Sequence, residues 1–444
     1  MEDVHTTLRD PALLRDWLQD ARQRTLELIS DLDDQQLMGP RLEIVNPLLW
    51  EIGHVAWFQE KWVLRHLYKR RPIRSDADAL YDSIAIPHDV RWDLPLPSRR
   101  DTLAYMAAVQ EEILSLLSGT EDLPEQLAYF VLYGIYHEDM HTEAFTYGRQ
   151  TLQYPTPPIT RPQASHPAGE GTPSHSDEVT IEGGRFFLGA TGREPFVFDN
   201  EKWAHPVEIK PFRIDRYAVT QGQFLEFVEA GGYHNPDFWT EEGWGWRRQA
   251  EAEHPVYWKK EANGRWLRRH FDRWIPLEAE HPVIHVNWYE ASAYCRWAGR
   301  RLPSEAEWEL AACLQPGTDP ASSSEAKALY PWGNQPPAAG QLNTDWLWLN
   351  TIPVTALARG DSRTGLRQLL GNVWEWTDSV FGPYPGFTPD PYKEYSEPWF
   401  YTRRVLRGGS WATRSRMLRN SLRNYFTPER RDVFAGFRTC ALDQ

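Results

Sequence analysis

Three cysteines in 444 residues, Cys295, Cys313 and Cys440, are too few and too scattered for a disulfide framework. Their scarcity is that of a chain kept in a reducing cytoplasm. Basic residues are also short: 48 Lys and Arg face 62 Asp and Glu, a net charge of −14. Nucleic-acid binding depends on cations that neutralise phosphates, so no nucleic-acid partner is expected. No apolar run approaches the roughly 20 residues that cross a bilayer, and no membrane partner is expected. The opening residues, Met1-Glu2-Asp3-Val4-His5, are acidic and polar, without the apolar core of a secretory signal. No internal repeat is present.

Tryptophan is what the chain has in excess, with 22. Its large rigid face and single donor suit loop-rich cores and aromatic-lined ligand sites; core filling is expected to account for most of them. The hydrophobic content of 41% and charged content of 25% are those of an ordinary globular chain. The length calls for more than one core.

The texture divides the chain into three. Residues 1–154 read as a helical domain. Apolar positions Leu14, Leu18, Ala21, Leu28 and Leu32 follow helical spacing between Pro11 and Leu37. Asn46-Pro47 is a start signal, Asn as cap and Pro at the first helical position, for a helix through His54 to about Leu67. Asp101 is placed to cap a third helix, closed by Gly119, and Pro124 opens a fourth that ends before Pro155. Four such helices imply an antiparallel bundle. Residues 155–178, with Pro155, Pro157, Pro158, Pro162, Pro167 and Pro173, read as an exposed linker, in which His166 and His175 are solvated loop histidines. From 179 to 444 short strand-like runs and Trp-rich loops predict an irregular α+β domain, whose best helices are Gln221–Ala230 and Tyr289–Ala298.

The most informative run is His137-Glu138-Asp139-Met140-His141. Residues i and i+4 share a helix face, so the two imidazoles can point at one ion. The same letters spell the zinc-protease signature His-Glu-x-x-His, with Glu138 as base. That reading needs a further ligand downstream, and Ala144 and Tyr147 stand where its extended form has Gly and His. His54, in Trp50-Glu51-Ile52-Gly53-His54, supplies a third imidazole from another helix, as bundle metal sites are built. Taken alone, an imidazole among large apolar groups is more often a hydrogen-bonded core histidine. Three imidazoles leave positions open on an octahedral ion, which suits iron with dioxygen as well as zinc. Glu143 lies roughly 200° around the helix from His141 and is no ligand. Glu51 is a candidate to orient a ligand from behind.

Beyond residue 179, Gly183-Gly184-Arg185-Phe186-Phe187-Leu188-Gly189, Arg301-Leu302-Pro303-Ser304-Glu305-Ala306-Glu307-Trp308-Glu309, Gly371-Asn372-Val373-Trp374-Glu375-Trp376 and Arg407-Gly408-Gly409-Ser410-Trp411 resemble the formylglycine-generating-enzyme fold. Thr413 and Leu418 stand where that enzyme holds copper with cysteines, so its chemistry is not implied. With a DinB-like bundle in front, the whole chain resembles the ergothioneine sulfoxide synthases, non-haem iron enzymes that use dioxygen to join a sulfur donor to C2 of the hercynine imidazole. The resemblance implies Fe(II) held by His54, His137 and His141, O2 as co-substrate, and a second domain that completes the substrate pocket.

Two departures bear on the donor. Met140 stands where those enzymes carry a Gln that meets hercynine. Arg423-Asn424-Tyr425-Phe426-Thr427-Pro428-Glu429-Arg430 replaces an Arg-Asn-Trp-Asp run. Asn424 and Tyr425 keep the features that meet the hercynine carboxylate and trimethylammonium, the latter through a cation–π contact. Phe426 removes an acid that anchors the amino group of cysteine or γ-glutamylcysteine, a loss a neutral sugar would not feel. The preferred expectation is therefore the selenoneine synthase branch, which couples a selenosugar to hercynine; the alternative is a thiol donor. The Asp82–Trp92 segment also looks more like that branch. Arg91 is a candidate for substrate contact or for a surface salt bridge, and Trp92 for sugar stacking or loop packing. His88 is read as a loop histidine. Tyr392 is the candidate proton or electron donor, with plain loop packing as its competitor. A zinc hydrolase and a non-catalytic binder remain the other function classes.

Overall fold

A computed structural model of the protein describes residues 9–119, 123–162, 164–173, 177–194, 196–314 and 327–442. The chain forms two compact units: 1–160 with 193–196, and 161–192 with 197–444.

The first unit is helical. α1 spans Pro11–Ile29, capped by the Asp10 carboxylate, and buries Leu14, Leu18, Ala21, Thr25 and Leu28. It stops short of the expected Leu37, because Asp33 forms a capping box that starts a separate turn at Asp34–Met38. α2, Leu48–Gln59, is buried on nearly every side, the mark of a helix at the centre of a core. Asn46 does not cap it: Pro47 holds the cap position, and the Asn46 amide donates to Glu51 Oε1 at 2.7 Å. Beyond Gln59 the helix widens into a π-helical stretch, Glu60–Leu67. There the buried Glu60 carboxylate accepts from the Tyr105 hydroxyl and the Ile73 amide.

α3 is Arg99–Leu116, capped by Ser98, whose hydroxyl accepts from the Asp101 amide at 3.2 Å. The expected cap, Asp101, thus sits inside the first turn, where its charge faces the positive end of the helix dipole. α4, Glu125–Thr151, carries the histidine pair and packs against α1 and α2. Gly134 permits the close approach of α2 and α4: a Cβ there would lie 2.9 Å from Gln59 Cγ. No helix among the described residues is long and apolar enough to cross a membrane.

The second unit is α+β. Its strands are β1 (Glu178–Ile181), β2 (Gly184–Leu188), β3 (His205–Ile209), β4 (Phe212–Asp215), β5 (Trp258–Lys260), β6 (Trp266–His270), β7 (Arg273–Pro276), β8 (Arg300–Arg301), β9 (Trp374–Val380), β10 (Arg404–Arg407), β11 (Asn424–Phe426), β12 (Ala435–Gly436) and β13 (Cys440–Ala441). They form sheets in the orders β1-β4-β13-β8 and β11-β10-β9-β12, a β2-β3 hairpin and a β5-β6-β7 meander. Helices α5 (Gln221–Glu229) and α7 (Trp288–Trp297) match the expected pair, and both open with capping boxes. α6 (Glu241–Gln249) and α8 (Glu305–Cys313) were not anticipated, although Ser304 and Glu307 form a capping box at α8.

The motifs of this unit converge on buried ion pairs. Glu305 accepts from Arg423 Nε at 2.6 Å and Arg407 Nη1 at 2.9 Å. Glu375 takes both ends of the Arg438 guanidinium at 2.7 Å and the Trp308 indole N–H at 2.8 Å. A guanidinium sealed from water needs such a two-point partner. These charges therefore fold the domain. All three cysteines are buried, and burial pushes the Cys313 thiol up to about 12. Thr413 and Leu418 are buried too, with Thr413 Oγ1 accepting from the Ser410 amide.

The Pro-rich segment, expected as an exposed linker, is exposed at most of its described positions, and parts of it are hydrogen-bonded to other segments. The Arg161 guanidinium donates to the Leu347 carbonyl at 2.8 Å, the Trp348 indole to the Ser165 carbonyl at 3.1 Å, and the Glu170 amide to Thr355 Oγ1 at 3.0 Å. With few apolar side chains, it is held through its backbone groups. His166 is exposed, and His175 lies outside the described residues.

Candidate metal centre

His54 from α2 and His137 and His141 from α4 converge, each offering a ligand atom, all within 4.8 Å of one another. The ring centroids are 5.1, 5.0 and 4.6 Å apart, in the order His54–His137, His54–His141 and His137–His141. Aromatic walls hold the rings in place. Trp50 stacks on His54 at 4.8 Å and 11°, and Phe58 stacks on His137 at 3.7 Å and 6°. The π-stretch follows this part of α2, where widened turns often accompany functional sites.

The Nδ1–H of His54 donates to the Tyr81 carbonyl at 2.8 Å. A carbonyl only accepts, so this tautomer leaves the Nε2 lone pair for a ligand. His137 and His141 each bury an Nδ1 without a hydrogen-bond partner, an arrangement that a purely structural core avoids. Burial depresses the basicity of all three: His54 falls to about 4, partly offset by its Tyr81 hydrogen bond, and His137 and His141 fall well below the ordinary value. The imidazoles are neutral at physiological pH, as metal binding requires. Three neutral nitrogen donors at this spacing fit a divalent transition ion such as iron(II).

Glu138 is turned away from the histidines. Its carboxylate accepts from Arg22 Nε at 2.9 Å, Thr25 Oγ1 at 2.8 Å and Gln59 Nε2 at 2.8 Å. It ties α1, α2 and α4 together and is not the base of a protease. Glu51 Oε1 lies 3.9 Å from His141 Nδ1, and burial raises the Glu51 carboxyl to about 7. Arg91 is buried rather than at the surface. Its guanidinium lies 4.0 Å over the Trp50 ring and donates to Asn46 Oδ1 at 2.7 Å and to the Ser83 and Ile86 carbonyls. The Trp92 indole N–H faces the Met38 and Gly39 carbonyls, and His88 Nε2 meets the Val45 carbonyl. Both pack the loop. Met140 is half-buried on α4 beside His141, and Glu143 is buried.

The other candidate residues lie in the second unit. Asn424, Tyr425 and Phe426 form the edge strand β11, anchored by the neighbouring Arg423–Glu305 pair. Asn424 Oδ1 accepts from the Tyr425 amide, leaving its amide nitrogen for a ligand. Tyr425 stacks on Phe381 at 3.9 Å, and its hydroxyl donates to the Tyr395 carbonyl. Arg430 is forked onto Asp432 at 2.6 and 2.7 Å, with its guanidinium 5.1 Å over the Phe426 ring. Tyr392 is half-buried, and its carbonyl accepts from the Tyr395 amide. Sequence reasoning missed Gly53, Tyr81 and the Arg91–Asn46 contact. Only Gly53, a helix breaker inside an apolar helix, left a visible signal.

A helical bundle with a candidate all-histidine metal site, in one chain with an α+β domain rich in buried ion pairs, defines the class as a two-domain enzyme. Residues 163–442 match the Sulfatase-modifying factor enzyme 1-like domain, and residues 18–145 match the DinB superfamily. A hercynine oxygenase of Mycolicibacterium smegmatis is 37% identical, covering 96% of this chain and 97% of its own. One from Mycobacterium tuberculosis is 38% identical, covering 97% and 99%. A formylglycine-generating enzyme of Thermomonospora curvata is 32% identical over 60% of this chain and 93% of its own. The chain belongs to the hercynine oxygenase family, and it is an oxidoreductase. None of these relatives' names refers to selenium.

Proposed function

We propose that the chain uses iron(II) and dioxygen to join a thiol donor, cysteine or γ-glutamylcysteine, to C2 of the hercynine imidazole. The carrying observation is the neutral histidine triad, His54 and His137 buried and His141 half-buried, in a chain that matches hercynine oxygenases almost end to end. Hercynine C2–H, the thiol and O2 give the sulfoxide and one water: the C–H and S–H bonds break, a C–S bond forms, and dioxygen takes up four electrons. Bound iron(II) supplies the redox partner that lets dioxygen react with closed-shell substrates. His54, His137 and His141 hold it, and Trp50 and Phe58 keep their rings from turning. In this reading the Asn424 amide nitrogen meets the hercynine carboxylate, and Tyr425 offers an aromatic surface for the trimethylammonium group. Tyr392 is the proposed proton donor, and Met140 in the first unit and Arg430 in the second are each proposed as substrate-contacting residues.

The selenosugar donor is the second reading. It rests on Met140 and on Phe426, whose ring, under an Arg430 already paired with Asp432, offers a donor ammonium no anion. The family match favours the thiol. To test both, the protein is loaded anaerobically with iron(II), given hercynine, air and either γ-glutamylcysteine or a selenosugar, and the products are weighed by mass spectrometry. Coupled product with the thiol supports the main reading; product with the selenosugar alone moves the assignment to selenium. No product with either donor removes the coupling activity.

A further inference from the structure

Arg91 is linked to two of the three histidines through intermediate side chains, one on each side of its guanidinium. Its flat side rests 4.0 Å over the Trp50 ring, and Trp50 is stacked on His54 at 4.8 Å. Its edge donates from Nη1 to Asn46 Oδ1 at 2.7 Å; Asn46 Nδ2 donates to Glu51 Oε1 at 2.7 Å, and that oxygen lies 3.9 Å from His141 Nδ1. Nη2 is pinned to the Ser83 and Ile86 carbonyls, just beyond Tyr81, whose own carbonyl holds His54 Nδ1.

We infer that Arg91 is the positioning residue for the metal centre, orienting His54 through Trp50 and His141 through Asn46 and Glu51. The inference rests on the reading of the triad as a metal site. The polar chain has a fixed direction. A guanidinium has no acceptor, so Asn46 must turn its oxygen to Arg91 and its nitrogen to Glu51. Glu51 Oε1, the acceptor of the Asn46 amide, then faces the buried, unpartnered Nδ1 of His141. The proton of His141 belongs on Nδ1, and Nε2 is left to the metal, the same tautomer that Tyr81 imposes on His54. At 3.9 Å the contact is electrostatic and longer than a hydrogen bond. Lysine cannot replace this arginine: an ammonium lacks the flat face for the indole and the rigid edge for the amide.

The test uses cobalt(II) and the full chain without substrate, reading affinity by titration and ligand geometry from the visible bands of the bound ion. Arg91→Lys, Arg91→Met and Glu51→Gln each bind cobalt ~10–100-fold more weakly, the range for partners behind metal ligands, with shifted bands. Because Glu51 acts on the chain that Arg91 starts, adding Glu51→Gln to Arg91→Met costs no further affinity. Far-UV circular dichroism shows each variant folded, and Arg91→Lys, which keeps the charge, guards against misfolding. Folded Arg91 variants with wild-type affinity and bands overturn the inference, the more so if the KM for donor rises instead. Wild-type protein that binds no cobalt overturns the metal reading itself and the inference with it.

Discussion

Gly53 and Tyr81 share one space: a Cβ on Gly53 would lie 2.2 Å from Cε1 of the Tyr81 ring. The absence of a side chain on α2 lets Tyr81 close on the helix, and the Tyr81 carbonyl then receives the His54 Nδ1–H. Gly53→Ala forces the ring away. Overpacking of this kind costs about 1–3 kcal/mol, against a helix-propensity gain of about 1 kcal/mol. A lowered urea midpoint together with weakened metal binding is the expected outcome. An Ala variant with wild-type metal affinity would show that the Tyr81 contact does not set His54.

Glu138→Gln separates the two meanings of the histidine motif. A protease base would lose all chemistry and keep its fold. Here the substitution weakens the partner of the buried Arg22, and breaking such a pair destabilises by about 3–5 kcal/mol; the hydrogen bonds that Gln can keep set the lower end. Metal content at saturating iron stays at the wild-type value. Chemical denaturation and metal analysis on the same sample check both halves.

Acid acts on the second unit through its buried histidines. Burial holds His270 and His285 down to about 3, with the Arg268 charge adding to it. Below pH 6.5 the unfolded chain binds protons there that the folded chain refuses, so stability is full above 6.5 and falls as pH drops towards 3. A urea midpoint that does not fall between pH 6.5 and 4 would contradict this. His285→Gln should flatten the fall, since glutamine takes no proton.

Donor choice turns on Phe426. Phe426→Asp restores an anion for an ammonium-bearing donor, and a charge-assisted contact is worth about 1.5–3 kcal/mol. The kcat/KM for γ-glutamylcysteine should rise roughly tenfold or more and that for an uncharged donor should not. Equal effects on both donors would show that residue 426 does not meet the amino group.

The metal centre was legible because it is local. His137 and His141 share a face by helical period alone, and His54 sits in an apolar helix start that few other readings explain. The groups behind it were not legible. Arg91 meets Asn46, and the Tyr81 carbonyl meets His54, only because a loop folds back on α2, and the Tyr105 hydroxyl reaches Glu60 in the widened stretch from another helix. Caps were misread at Asn46, whose amide pairs with Glu51, and at Asp101, which lies inside the first turn that Ser98 caps. In the second unit the motifs marked the fold, while the pairs they make, such as Glu305 with Arg407 and Arg423, join residues about a hundred positions apart. Composition marked the Pro-rich segment as exposed, but it does not reveal which of its groups pair with another segment.

The central claim is that His54, His137 and His141 hold one iron. Protein loaded with iron(II) under nitrogen and freed of excess metal should carry one iron per chain, and His54→Ala, His137→Ala and His141→Ala should each lose it while remaining folded. A His54→Ala protein that keeps its full iron content would contradict the account.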